Sequence, residues 1–341
     1  MDKLLVVRLS ALGDVAMTVP VVASLAEQYP DLSITVMSKP PYEAFFSTLP
    51  KNVEFWGVNL RDYKGITGLE RLFREVERRE FDCVADLHDV LRTKYLRLRL
   101  KMRPTSVVHI DKERSEKRRL VKNGADNCPP LKSSFQRYAD VFERLGLPVS
   151  LNFKSIFNGH NADLSQLPAP FNTKPSQRRW IGVAPFAAHE GKVYPIDLMT
   201  RVIAQLNSLG RVFLFGSGES EMEVFRKWEK EFSNTIIVAD NFKGFKSELI
   251  LMNHLNVMLS MDSGNMHLAS LAGAPVVSIW GSTHPSAGFM GWNQSTENTI
   301  QVPLDCRPCS IYGNKPCRKG DYPCLRQITP EEIVEHIKKF L

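Results

Sequence analysis

The stretch from Val257 to Trp280 leaves this 341-residue chain few folds to choose from. An apolar run, Val257 to Leu259, leads into Met261-Asp262-Ser263-Gly264-Asn265-Met266-His267-Leu268-Ala269-Ser270-Leu271-Ala272-Gly273, and a second apolar run follows from Pro275 to Trp280. A run that ends in Asp-Ser-Gly and continues with Met266, Ala269 and Leu271 at helical spacing predicts a strand, a tight turn and a helix closed by Gly273. The turn then lies at the carboxyl end of a buried strand, where open α/β sheets bind ligands. Backbone N–H groups of Ser263, Gly264 and Asn265 at the helix start suit a diphosphate. Asp262 and His267 can border one pocket there. Equally, Asp262 can be a helix cap and His267 a surface histidine.

The same alternation runs through the whole chain. Apolar runs at Leu4 to Leu9, Ser33 to Met37, Val53 to Val58, Asp82 to Asp86 and Thr105 to Ile110 predict strands. Helical stretches are expected between them, near Pro41 to Thr48, Gly68 to Glu80 and Asp89 to Leu100. Asp14 is expected to start a helix that runs to Tyr29, with Pro20 tolerated early in it, so its carboxylate is held at a positive helix end. In the helix after Asp86, Leu91, Tyr95, Leu98 and Met102 line one face and Arg92, Arg99 and Arg103 another. Phe135 to Leu145 is a further helix. Asn158 to Ser176 is rich in Gly, Asn, Asp, Pro and Ser without periodicity and reads as an interdomain connector. The pattern restarts at Arg179 to Ala184 and continues through Pro195 to Ser208, Val212 to Phe215, Glu219 to Phe232 and Thr235 to Ala239. Alternating strands and helices predict parallel, doubly wound sheets.

A chain of this length, 43% hydrophobic and 24% charged, can build two cores. No apolar run approaches about 18 residues, which excludes a membrane-spanning helix. The start is broken by Arg8 and Asp14 where a signal peptide needs an apolar core, so a cytoplasmic location is expected. The net charge of +7 is concentrated: Arg92 to Lys122 carries twelve Lys or Arg against three Asp or Glu, a local +9 that leaves the rest near −2. Such a patch points to an anionic partner, whether a phosphorylated glycolipid, an anionic membrane surface or a nucleic acid. Arg92, Arg114, Arg118 and Arg119 are its candidate binding residues.

The motif Asp-Ser-Gly-Asn-Met-His-Leu-Ala, with Gly-Ala-Pro-Val-Val-Ser-Ile-Trp-Gly-Ser-Thr-His-Pro after it, resembles the carboxy-terminal signature of the ADP-heptose:lipopolysaccharide heptosyltransferases, glycosyltransferase family 9. Leu5-Val6-Val7-Arg8-Leu9-Ser10-Ala11-Leu12-Gly13-Asp14 resembles that family's opening strand and loop, and Asp86-Leu87-His88-Asp89-Val90-Leu91-Arg92-Thr93 a mid-domain motif. The resemblance implies a GT-B fold of two Rossmann-like domains facing a central cleft. Residues 1–160 would bind the acceptor, 161–176 would link, 177–329 would bind the donor, and 330–341 would form a helix packing back toward the first domain. It further implies an inverting transfer of heptose from ADP-heptose to the lipopolysaccharide inner core at the cytoplasmic membrane face. Asp14 would be the general base. Lys192, Glu219, Asp262, Ser263, Gly264 and His267 would hold the donor, with Glu221 an alternative to Glu219 at the ribose and adenine near Phe242 to Gly244. The family often carries hydroxyl side chains where this chain has Ala187 and Ala188.

Two features bear on metals. No D-x-D pair is present, which agrees with the metal-independent GT-B type, so no cofactor is expected for catalysis. Cys306, Cys309, Cys317 and Cys324, in the loop 305–325, are read first as reduced packing cysteines, with a structural zinc, for which they have the number and chemistry, as the alternative. One rival is a related transferase with another nucleotide-sugar or acceptor. The other is a basic, zinc-knuckle nucleic-acid-binding protein, which leaves two catalytic-looking loops unexplained, and no aromatic residues interleave Lys112 to Lys122.

Overall fold

The structure, a computed structural model, describes residues 1–341. It consists of two compact units: residues 1–112 with 134–158, and residues 113–133 with 159–341.

The first unit is built on a five-stranded parallel sheet of order β3-β2-β1-β4-β5, formed by β1 (Lys3–Val7), β2 (Ser33–Ser38), β3 (Val53–Gly57), β4 (Cys83–Asp86) and β5 (Ser106–His109). Leu4 to Val7 are all buried, as a central strand covered on both faces requires. Val7 pairs with Asp86 across the register, so the loops after β1 and β4 emerge side by side. The helix expected from Asp14 to Tyr29 is two: α1 (Leu12–Ala16) and α2 (Val19–Gln28). Pro20 occupies the first turn of α2, where its missing N–H is not needed. Then come α3 (Gly65–Arg78) and α4 (Leu91–Leu100). Leu72, Phe73 and Val76 of α3 and Leu96 and Leu100 of α4 share one core with Leu5, Val7 and Val84 of the sheet. The face of α4 that carries Leu91, Leu98 and Met102 is not the one that meets the sheet. Leu91, Leu98 and Met102 are exposed, while Thr93, Leu96 and Leu100 face inward.

A short basic helix, α5 (Arg114–Asn123), belongs to the second unit although its sequence interrupts the first, to which the chain returns with α6 (Ser134–Arg144). Ala125 N donates to Arg307 O and Leu131 N to Ser286 O, which ties the 113–133 segment to the second unit's loops.

The second unit has a six-stranded parallel sheet of order β11-β10-β9-β6-β7-β8, from β6 (Trp180–Ala184), β7 (Arg211–Leu214), β8 (Thr235–Ile237), β9 (Val257–Met261), β10 (Val276–Ile279) and β11 (Thr299–Ile300). Its helices are α7 (Ile196–Leu209), α8 (Glu219–Glu231), α9 (Val238–Asn241), α10 (Gly244–Asn253), α11 (Gly264–Ala272), α12 (Pro323–Arg326) and α13 (Pro330–Lys338). The stretch 161–176 packs on the second unit: Ala162 N donates to Asn253 Oδ1 at 2.7 Å, Lys174 Nζ donates to His254 O at 2.7 Å, and Leu167 and Phe171 are buried. The C-terminal helix α13 contributes its apolar face to the same unit. Ile333, Val334 and Ile337 join the second unit's own core with Val202 and Ile203 of α7. No helix is long and apolar enough to cross a membrane.

Candidate active site

In the first unit the carboxyl ends of β1 and β4 gather a charged cluster. Asp14 is the third residue of α1, and its Oδ2 accepts the Ala11 N–H at 3.2 Å and lies 2.7 Å from Arg8 Nη2. Arg8, only 8% exposed, also donates from Nη1 to Leu87 O at 2.6 Å, bridging the loops after the two strands. Burial works against its charge, but Tyr138, Asp14 and Asp86 outweigh that and hold the guanidinium firmly protonated. Asp86 is buried and accepts the N–H groups of His88 and Asp89, each at 2.9 Å, on Oδ1. Arg97 spans Asp86 at 2.6 Å and Asp89 at 3.0 Å. His88 Nε2 lies 3.4 Å from Ser10 Oγ. Burial first and Arg8 second push the His88 imidazole down to about 4, so it stays neutral. The arrangement leaves one carboxylate, Asp14, a third exposed at a helix start and fixed by a buried cation. A carboxylate so placed can accept a proton from a hydroxyl.

Arg8 as the partner of Asp14 was not foreseen from the sequence. The only signal was a basic residue directly after an apolar strand.

In the second unit the loops after β6, β9 and β10 converge. A 3-10 turn, Glu190–Lys192, follows β6, and Lys192 Nζ lies 2.9 Å from Asp262 Oδ2 after β9. Asp262 is therefore not the cap of α11. That position is Ser263, whose hydroxyl lies 3.3 Å from Ser260 Oγ. Ser263, Gly264 and the first N–H groups of α11 form a positive helix end beside the Lys192–Asp262 pair. His267, one turn into α11, is 6% exposed rather than a surface histidine. Gly191 has no room for a side chain: an added Cβ would come within 2.3 Å of Ser282 Oγ, the group that donates to Gly191 O at 2.8 Å.

The structure separates the two glutamates of α8. Glu221 Oε2 accepts the N–H groups of Ser217 and Gly218 at 2.9 and 3.1 Å and serves as a cap, whereas Glu219 is exposed on the first turn. Phe242 is 3% exposed with its ring centroid 5.1 Å from that of Phe171, so its ring is part of the core.

The basic stretch is divided between the two units. Arg92 lies in the first unit, and Arg114, Arg118 and Arg119 lie exposed on α5 in the second. Arg97, Arg99 and Arg103 are spent on Asp86 and Asp89, Glu70, and Glu77. Lys117 is buried, its Nζ 5.1 Å from the Phe289 ring centroid and 5.7 Å from that of Tyr312. Cys306, Cys309, Cys317 and Cys324 are free thiols, and no three His, Cys, Asp or Glu side chains are gathered as a metal shell requires. The loop that carries them is held by Arg307, whose guanidinium donates to the carbonyls of Trp280, Gly281, Thr283 and Val302.

Two parallel, doubly wound units with charged side chains at their strand ends are the architecture of GT-B glycosyltransferases. The fold matches E. coli heptosyltransferase WaaC with ADP-2-deoxy-2-fluoro heptose at a TM-score of 0.70 and 16% identity, over 99% of this chain and 100% of that one. It matches the glycosyl transferase family 9 protein from Veillonella parvula at 0.72 and 18%, over 100% of this chain and 98% of that one. The sequence model of glycosyltransferase family 9 (heptosyltransferase) covers residues 69–319, and the chain belongs to that family. Lipopolysaccharide heptosyltransferase 1 of Campylobacter coli is 23% identical over 355 residues, spanning 99% of this chain and 98% of the relative.

Proposed function

We propose that this glycosyltransferase moves a heptose from ADP-heptose to a phosphorylated glycolipid acceptor, the lipopolysaccharide inner core, with inversion at the anomeric carbon. Asp14 takes the proton of the attacking hydroxyl as its oxygen bonds to the anomeric carbon. The bond from that carbon to the diphosphate oxygen breaks, and ADP departs with the electron pair. Lys192, the N–H groups at the start of α11 and His267 receive the diphosphate, and Glu219 takes the ribose. No divalent ion is needed, because the helix end and the ammonium supply the positive charge.

The observation that carries this reading is the Lys192–Asp262 pair set against the α11 amino terminus. It presents a nearly enclosed ammonium beside free helix N–H groups, as a departing diphosphate needs. That WaaC holds an ADP-heptose analogue in the same fold supports the choice of donor. The rival nucleic-acid reading leaves the Lys192–Asp262 pair and the Arg8–Asp14 pair without a role.

The test is a donor screen on the full chain with heptose-deficient lipopolysaccharide. Release of ADP from ADP-heptose should exceed turnover of any UDP- or GDP-sugar by at least about tenfold. A faster UDP- or GDP-sugar would replace this reading with the related-transferase one.

A further inference from the structure

Six large hydrophobic side chains are exposed on the molecule, and four of them cluster in one region of the first unit: Ile66 (77% exposed), Leu91 (83%), Leu98 (63%) and Met102 (68%). Ile66 lies in α3, Leu91 and Leu98 in α4, and Met102 in the turn directly after it. The two helices run side by side in the same direction. Tyr95 donates to Glu70 at 2.7 Å, Arg99 pairs with Glu70, and Arg103 pairs with Glu77. Ile66 and Leu91 each lie one turn before the Glu70–Tyr95 contact, which sets them at the same end of the pair.

Along α4 the exposed residues are Leu91, Lys94, Leu98, Lys101 and Met102, three or four apart and so on one face, opposite the buried Thr93, Leu96 and Leu100. Arg92 to Arg103 holds six basic residues and no acidic one. Arg97, Arg99 and Arg103 are in ion pairs with carboxylates of the same unit, whereas Lys94, which only helps hold Asp89 ionised from a distance, and Lys101 make no ion pair on the exposed face.

Leucine and methionine interleaved with unpaired lysines do not make a protein interface core, from which lysine is depleted. They complement a surface that is apolar within and anionic at its rim, where the lysine stems lie along the apolar layer and their ammonium groups reach phosphates. We infer that this α3–α4 face seats the protein on an anionic lipid bilayer. The amino end of α4 follows directly on Asp86–Asp89, so the seated face brings the Asp14 cluster to the lipid surface. That consequence rests on the reading of the acceptor as a glycolipid; the seating itself does not.

Flotation of the full chain with vesicles tests it. Binding is expected to vesicles of phosphatidylglycerol and phosphatidylethanolamine, to weaken at high salt, and to be at least about tenfold weaker on phosphatidylcholine alone. Leu91→Ser with Leu98→Ser and Met102→Ser, and separately Lys94→Glu with Lys101→Glu, should each weaken anionic-vesicle binding at least about tenfold while ADP affinity and thermal midpoint stay at parent values. Both sets should slow transfer to vesicle-embedded acceptor and leave transfer to a deacylated, soluble acceptor unchanged. The inference is overturned if the parent does not bind anionic vesicles, if both sets bind as tightly as the parent, or if the parent is a dimer that the serine set dissociates, since a second copy then covers the face. Loss of vesicle binding in the variants, combined with no transfer from ADP-heptose to either acceptor by the parent, would leave the seating standing and remove the functional reading.

Discussion

Lys192 Nζ and Asp262 Oδ2 lie 2.9 Å apart, with side chains only 16% and 4% exposed, so each is the other's neutralising partner in the free protein. On the proposed function, a diphosphate arriving at the α11 amino terminus would compete with Asp262 for that ammonium, and Asp262 would hold Lys192 in place until then.

The pair makes an asymmetric prediction. Lys192→Ala strands a carboxylate that is 4% exposed and should cost about 3–5 kcal/mol, the range for removing one partner of a buried pair. Asp262→Asn should cost less, because the longer lysine can reach water. Urea unfolding measures both, and the double variant should be less destabilised than the sum of the singles. Calorimetry should show ADP binding weakened at least about tenfold by Lys192→Ala. A Lys192→Ala protein within about 1 kcal/mol of the parent would mean the two side chains are not energetically coupled.

Asp14→Asn keeps an oxygen to accept the Ala11 N–H but removes the charge facing Arg8 and the capacity to take a proton. A general base contributes about 10²–10⁴-fold, so kcat should fall at least about a hundredfold with ADP affinity unchanged. Turnover within a few-fold of the parent would reduce Asp14 to a helix cap and direct attention to His88 and Asp89.

Arg307 is 5% exposed and organises the loop after β10 through four backbone carbonyls and Gln301 Oε1. Ser282 in that loop donates to Gly191 O, next to Lys192. Arg307→Lys keeps the charge but cannot reproduce the fork. ADP affinity should therefore fall while the Asp14 cluster, and with it acceptor KM, is unaffected. Equal loss at both substrates would mark general unfolding instead.

Acid should destabilise the protein through His88. Its imidazole is held down to about 4 from an ordinary 6.5, so below 6.5 the unfolded chain takes up a proton that the folded chain refuses. The stability from this residue is complete above about pH 6.5 and is lost as pH falls toward 4, with a slope of up to about 1.4 kcal/mol per pH unit. Denaturant titrations at pH 7, 6, 5 and 4.5 should show a shallower decline for His88→Gln. Parallel curves would remove His88 as the source.

With Cys306, Cys309, Cys317 and Cys324 as reduced packing thiols, turnover should survive EDTA and elemental analysis should find less than half an equivalent of zinc. One full equivalent of zinc retained through chelation would show that the loop closes around metal.

Period and punctuation in the sequence were enough for every strand but the two-residue β11, for the parallel sheets and for the strand-turn-helix at Asp262 to Gly273, because these depend on neighbours a few residues away. The positions of Asp14, Asp262 and His267 at strand ends were legible for the same reason, whereas Lys192 was singled out by the family resemblance. What depends on residues far apart in the chain was decided only in three dimensions. A basic residue after β1 does not disclose that Arg8 reaches Asp14 and Leu87 O. Helical spacing groups Leu91 with Leu98 and Met102 but cannot say whether that face or the Leu96–Leu100 face meets the sheet, since both are apolar; packing against Leu72, Phe73 and Val84 settled it. Nor can sequence order reveal that 113–133 leaves the first unit, or that α13 closes the second unit's core, because those placements are fixed by contacts with loops and helices more than a hundred residues away.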